Sequence, residues 1–329
     1  MTTIRLTHPL KALLKGGLIA LALGMTTTAH AWPDRALKMI VPFPAGGIND
    51  TVGRLTAGYL GDELGATIVV ENRAGAGGTI GTMAAVNSPA DGYTILLGAS
   101  STVAVAPNLY KNLDYAPEKD LLALGGIGSA ASLLVVNANS KWNSLAELVD
   151  ADKKSPGAIN YGSAGSGTSH HIKTELLKLR TGSKWVHIPY KGGAPAMTDL
   201  MGGQIDFLLE PLPTALPYVE SGRVKALGVT TRQRAAVLPD IKTFEEQGIS
   251  DYDATLWFGV FAPAGLDPAI AQQLSDALQK IFARDDVKQD FEKRGLATFT
   301  GNKDQFKQFV TSEIKLWGEV IQKAGIPVQ

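Results

Sequence analysis

Residues 37–50, LKMIVPFPAGGIND, narrow the choice of fold more than any other stretch of the 329-residue chain. Leu37, Met39, Ile40 and Val41 form an apolar run of strand length. The run must stop near Pro42 and Pro44, because proline cannot donate to a sheet ladder. Beyond them Val52, Leu55, Tyr59 and Leu60 recur at helical spacing. The stretch therefore reads as strand, Gly-rich turn and helix, with Asn49 or Asp50 expected as N-cap. Gly46 and Gly47 permit positive φ and close approach of a ligand to the backbone. Unpaired amides and the dipole at the helix start make a seat for an anion such as a carboxylate. The same residues also read as a plain βα turn with no ligand, since short connections of this kind are common.

The design recurs along the chain. Residues 66–71 form a β-branched strand, followed by a Gly-rich loop at 72–78 and a helix over 79–87. Ile80 sits where a dinucleotide fingerprint needs its third glycine, so that motif is not met. A third strand at 93–98 ends in Ala99-Ser100-Ser101-Thr102. Hydroxyls there either face the ligand position of an open α/β sheet or cap the next helix. Glycine, alanine and leucine dominate 121–132, which reads as the first crossing between domains. A strand at 133–137 precedes a helix over 144–154, with Ser144 and Glu147 spaced as a capping box. Residues 159–171 repeat the opening design, with a short strand, a small-residue loop and a helix running through Leu179. Strands are expected at 186–190, 203–209 and 225–230, with helices over 195–201 and 213–221, and Glu210-Pro211 ending the second of those strands. Residues 253–262 read as a strand returning to the first domain, and helices over 268–284, 286–294 and 303–324 complete the chain. This alternation implies an α/β fold of two parallel-type sheets with helices on both faces. The first domain is discontinuous, 32–130 plus 254–329, and the second spans 131–253. One strand–loop–helix unit from each could then aim its helix start into a shared cleft.

Composition sets the limits. With 45% apolar and 19% charged residues the chain is globular, and its length suits two domains of roughly 100–200 residues. It has no cysteine, which excludes disulfides, thiolate metal sites and a cysteine nucleophile. Arg5, Lys11 and Lys15 with no acid, the apolar core at 16–25 and Ala29-His30-Ala31 read as a cleavable secretory signal over 1–31. The apolar core is too short for a transmembrane anchor, which needs about 20 residues. Cleavage near Ala31 leaves Trp32 as the mature start and a periplasmic location. It removes three of the 31 basic residues, leaving 28 against 31 acidic. That balance favours neither nucleic acid nor an anionic membrane surface.

Catalytic and metal motifs are missing. No serine lies in a nucleophile elbow, and there is no Walker, H-E-x-x-H or EF-hand sequence. His170 and His171 are adjacent on a helix and point to different sides, and His187 could join them only through folding. They read as solvated or capping histidines and no metal site is expected. Asp50, Asp206 and Glu210 lie near strand ends without a recognisable acid–base partner. Trp257-Phe258 reads as core or hinge packing in preference to a ligand stack. No cofactor is expected. The small residues, hydroxyls and amides that do recur at loop–helix junctions bind; they do not transform.

Taken in order, Trp32-Pro33, IVPFPAGGIND at 40–50, VVENRAGAGGTIG at 69–81, DGYTILLG at 91–98, NYGSAGSGTSHH at 160–171, PYKGGAPAMTDLMGGQIDF at 189–207, WFGVFAPAG at 257–265 and AGIPV at 324–328 carry a specific resemblance. The chain resembles the Bug-type, TctC-like extracytoplasmic solute receptors of tripartite tricarboxylate transporters over essentially its whole mature length. The resemblance implies a two-lobed type II periplasmic-binding fold with a hinge and an interdomain ligand cleft. It also implies delivery of a small organic acid to membrane permease subunits. It assigns the cleft to Phe43, Pro44, Ala45, Gly46, Gly47 and Asp50, to Ser101 and Thr102, and to Ser163, Ala164, Gly165, Gly167 and Thr168. The sequence departs from the family pattern at Glu210-Pro211, where members usually carry Asp-Asn, and at Asn49, where many carry Ser or Thr. Glu210 is therefore included among the ligand-binding residues.

The expected function is capture of a small carboxylate, with no catalysis, by a monomer. The acid is a di- or tricarboxylate, an aromatic carboxylate or an acidic amino acid. Two alternatives are a receptor serving a membrane signalling partner and an exported enzyme using Asp50 or Glu210 as a base.

Overall fold

The computed structural model describes residues 32–250, 252, 255–323 and 325–328. The secretory signal read at 1–31 lies outside the described residues. The chain divides into Met1–Asp34 and Arg35–Gln329, and all the elements below belong to the second unit.

In chain order the strands are β1 (Leu37–Val41), β2 (Ile68–Asn72), β3 (Thr94–Ala99), β4 (Leu121–Ala130), β5 (Ser132–Asn137), β6 (Asn160–Ser163), β7 (Val186–Pro189), β8 (Phe207–Pro211), β9 (Val224–Val229), β10 (Leu256–Pro263) and β11 (Leu296–Thr298). The main helices are α1 (Ile48–Leu64), α2 (Thr79–Val86), α3 (Leu145–Lys154), α4 (Ser169–Thr181), α5 (Gly193–Met201), α6 (Leu212–Glu220), α7 (Pro268–Ala283), α8 (Asp285–Lys293) and α9 (Lys303–Lys323). Two sheets result. The first has the order β11-β4-β10-β3-β1-β2, the second β7-β6-β8-β5-β9. Each lobe of this α/β fold is built on one of them.

The sheets are mixed, which corrects the expectation of parallel-type sheets. β1 pairs in parallel with β2 and β3, and β6 with β7 and β8. β10 runs antiparallel to β3 and β4, and β5 runs antiparallel to β8 and β9. The reason is connectivity. The right-handed βα units give parallel neighbours. β5 and β10 are the strands on which the chain enters one sheet after leaving the other, and they insert against the direction of those units. β4 itself, LLALGGIGSA, was legible only as a drift in composition. Its glycines make room for neighbours. A Cβ on Gly128 would meet the Ala297 carbonyl at 2.1 Å, and one on Gly126 the Phe299 ring at 2.5 Å.

The cores follow the patterning. Met39, Ile40 and Val41 of β1 and Leu96 and Leu97 of β3 are fully buried, as near-continuous apolar runs in parallel strands should be. In the second sheet Tyr161, Trp185 and Phe207 pack ring on ring. Trp257 is buried in edge contact with Phe306 and Phe309, and its Nε1 donates to Glu313 at 2.8 Å. This is the core packing expected of it. Ser144 caps α3 as read, accepting from the Glu147 amide at 3.2 Å, while the Glu147 carboxylate accepts from the Asn143 amide at 2.7 Å.

Candidate functional site

The β1–α1 loop is held open by its own side chains. α1 begins one residue after Gly47, whose extended backbone serves as N-cap with no side-chain hydrogen bond. This corrects the expectation that Asn49 or Asp50 caps the helix, since both sit inside its first turn. Asp50 is engaged elsewhere. It accepts from the Gly46 amide at 3.0 Å, from Arg54 Nε at 3.0 Å and Nη2 at 2.9 Å, and from Asn72 Nδ2 at 2.9 Å. Asn72 Nδ2 also donates to the Phe43 carbonyl at 3.0 Å. Burial pushes the Asp50 carboxyl up, but the hydrogen bonds from Arg54, Gly46 and Asn72 and the Arg54 charge outweigh it, so it titrates below the usual carboxylate range. The network fixes the loop and leaves the first amides of α1 without a capping side chain.

The β6–α4 loop is built the same way. Thr168 is the N-cap by backbone alone, and its hydroxyl turns back to the Gly165 carbonyl at 2.6 Å. Ser163 Oγ accepts from the Gly165 amide at 3.0 Å and lies 2.6 Å from His187 Nε2. The Gly167 amide donates to His171 Nδ1 at 3.2 Å, and the His171 and His187 rings stack at 4.1 Å. Burial lowers the His171 pKa, and burial followed by the neighbouring His171 lowers that of His187 to about 4. Both rings are neutral near pH 7.

A third helix start was expected from the sequence but not assigned to the site. α5 begins at Gly193, two residues before the expected start at 195, again with a glycine N-cap and no side-chain cap. The sequence signal was present in Lys191-Gly192-Gly193-Ala194-Pro195, which repeats the Pro-Ala-Gly-Gly design of the first loop in a different order.

These three starts meet at one cavity of about 90 Å³. Phe43, Pro44, Ala45 and Gly47 line it from the first loop, Ser101 from the end of β3, Ala164 and Thr168 from the second loop, and Glu210 from the end of β8. Those eight were read from the sequence. Ile48, Asn49, Ser169, His170 and the segment 191–195 line it as well and were not assigned to the site. Gly46, Asp50, Thr102, Ser163, Gly165 and Gly167 do not line it. They shape the loops that do. Thr102 is fully buried, its hydroxyl bonds back to the Ala99 carbonyl at 3.2 Å, and its methyl would meet a Cβ on Gly78 at 2.6 Å. Ser101 opens a wide π-type turn, Ser101–Val105, a feature common at functional positions.

His170 and His171 are both buried, against the expectation of solvated or capping side chains. They do point to different sides of α4: His171 to the loop and His187, His170 to Glu210, with Nε2 3.0 Å from Oε2. The carboxylate also accepts from the Thr214 hydroxyl. Among the described residues no group of three or more His, Cys, Asp or Glu is placed to hold a metal ion.

The cleft is bridged. Tyr110, from the first lobe, donates its hydroxyl to the Ser166 carbonyl of the second at 3.2 Å, and a Cβ on Gly192 would lie 3.5 Å from Pro44 Cγ. A roomier cavity of about 560 Å³ lies against α9 and is lined by Trp257, Phe306, Phe309 and Trp317 among others. It offers aromatic faces together with Arg180, Arg232 and Glu313, and no helix start lines it, whereas three helix starts line the smaller cleft.

The family of tripartite tricarboxylate transporter receptors matches residues 52–326. BugT of Bordetella pertussis is 38% identical over 299 residues, covering 91% of this chain and 92% of that protein. Among solved structures, R. palustris Rpa4515 with adipate superposes with a TM-score of 0.87 at 31% identity, covering 90% of this chain and 99% of the other. MatC from Rhodopseudomonas palustris with bound malate gives 0.83 at 28% identity, covering 88% and 100%. A match over most of the chain, with the same two-lobed architecture, leads to one conclusion: this chain belongs to the tripartite tricarboxylate transporter receptor family.

Proposed function

We propose that the protein captures a small organic carboxylate between its lobes and delivers it to the permease subunits of a tripartite transporter. The observation that carries this reading is the convergence of three helix starts, α1, α4 and α5, each capped by backbone alone, on one small cavity. Helix starts present free amides and a positive dipole end, which suit an anion. Each charge-assisted hydrogen bond is worth about 1.5–3 kcal/mol. Three or four of them, after desolvation and closure costs, match a micromolar affinity of about −8 kcal/mol. Relatives solved with adipate and malate support the ligand class.

In this reading the lobes are 32–130 plus 254–329 and 131–253, with the ligand reached by hinge opening. The protein is exported through the leader at 1–31 and acts in the periplasm as a monomer. It does no chemistry on the solute. Ser163 and His187 are close enough to act as nucleophile and base, yet Ser163 is fully buried and neither residue lines the cavity. Their contact supports the loop.

The test is a thermal-shift screen of the purified protein against mono-, di-, tri- and aromatic carboxylates. A ligand that binds only the native state at a hundredfold excess over Kd adds about 2.7 kcal/mol of stability. A clear rise in Tm with one class supports the reading. If no acid raises Tm, and none is released from the denatured protein as detected by mass spectrometry, the reading fails.

A further inference from the structure

The amides of the cleft account for a carboxylate, but the other polar groups around it have the opposite character. Glu210 is 4% exposed and lines the cavity. Its carboxylate accepts from His170 and Thr214, and an ionised carboxylate has roughly four lone-pair sites, so acceptor capacity remains. A Cβ on Gly193 would lie 3.4 Å from both Glu210 oxygens, so the bare glycine leaves the approach to that carboxylate open. His170 must donate through Nε2, since a carboxylate oxygen only accepts. Nδ1 is buried and has no partner. Asn49 Oδ1 is also buried without a partner. His170 and Asn49 are 6% and 8% exposed and both line the cavity.

The Glu210 carboxylate and the unpartnered Asn49 Oδ1 thus belong to residues lining a cleft whose amides already serve one carboxylate. A second carboxylate placed among them would bring lone pairs against lone pairs and bury a charge beside the Glu210 anion, which is costly. An ammonium supplies three N–H donors and a compensating charge. We infer that Glu210, held in place by His170, reads an N–H-bearing ammonium on the ligand, so that the preferred solute is a short amino-carboxylic acid and not a dicarboxylate. This rests on the reading of the cleft as a carboxylate site and names the chemistry of its second half. Lys191, exposed and lining the same cavity, adds a positive charge on the carboxylate side of that balance. The small volume calls for a short chain.

Calorimetric titration with matched acids tests this. Propionate, malonate and β-alanine share a chain length and differ in ending on methyl, carboxylate or ammonium, as do butyrate, succinate and 4-aminobutyrate. The expected result is binding of the amino acid in at least one series tenfold or more tighter than that of its two partners. The Glu210→Gln variant should lose at least tenfold for the amino acid and hold or gain affinity for the dicarboxylate. A trimethylated analogue, which has the charge without N–H, should bind at least tenfold more weakly than the amino acid. If the dicarboxylate binds the wild type more tightly, or if Glu210→Gln leaves the preference unchanged, the inference is overturned and the carboxylate receptor stands. If no acid of either series binds and the wider carboxylate screen is also silent, the receptor reading falls with it. The wild-type comparison needs no variant, so a misfolded Glu210→Gln does not decide the matter.

Discussion

His187 stacks between Tyr161 at 5.0 Å and His171 at 4.1 Å and touches the Ser163 hydroxyl. Burial and His171 bring its pKa from the ordinary 6.5 to about 4. The unfolded chain therefore binds a proton between those values that the folded protein refuses, and stability falls as pH drops through that window. Asp50 is different: its carboxyl is held below 3.8, so its contribution is intact there and fades only in stronger acid. His187→Phe keeps the stacking and removes the titration. Its Tm should fall less than that of the wild type between about pH 6.5 and about pH 4, measured by calorimetric melting. Equal slopes would remove His187 from the account. At this scale the sequence was legible where a residue acts through its backbone, as in the glycine-rich loops. It was misleading where a side chain has a choice of partners. Asp50 has the composition of a cap and of a ligand residue, but Arg54 and Asn72, four and 22 residues away, claim it. His170 gave no signal because its partner Glu210 lies 40 residues along the chain.

The working elements are loops that end in uncapped helices. Their glycines are of two kinds, and the difference predicts what substitutions do. Gly46 has φ +83° and no neighbour within 4 Å of a Cβ, so a larger residue there strains the turn without filling the cleft. Gly167 has φ +77°, and a Cβ would lie 2.6 Å from the Tyr110 hydroxyl and 2.8 Å from Leu109 Cδ2. Gly167→Ala should cost about 1–2 kcal/mol for the left-handed backbone, seen as a fall of roughly 2–8 °C in Tm. It should also weaken binding by pushing the loop from the first lobe. An unchanged Tm would mean that the loop relaxes freely and does not set the cleft. The sequence showed β1–α1 and β6–α4 as such elements because a strand, a run of small residues and a periodic helix follow one another. It hid the α5 start, since Gly192-Gly193 reads as loop until the helix is seen to begin on the second glycine. It also hid β11, a three-residue strand whose pairing with β4 lies far off in sequence.

Across the whole molecule, two sheets joined by crossing strands flank the proposed cleft, and a few contacts span it. Tyr110→Phe removes the hydroxyl donated to Ser166 and keeps the ring. The expected loss is about 0.5–1.5 kcal/mol, read as a roughly two- to tenfold faster release of bound acid in stopped-flow exchange with unchanged Tm. No change in release rate would mean that this contact does not latch the lobes. The location of the cleft is the central claim, and Gly193→Ala addresses it directly. Gly193 has an ordinary backbone conformation, and an added Cβ would find Glu210 and His170 at 3.4–3.5 Å, an ordinary contact distance. The variant should therefore fold as the wild type does, while its methyl occupies part of a cavity of about 90 Å³. Calorimetric titration of both proteins with the acid that gives the largest thermal shift should show an unchanged melting curve and at least a tenfold weaker affinity. Wild-type affinity in Gly193→Ala would contradict the account and move the site elsewhere, with the aromatic cavity against α9 the next place to look.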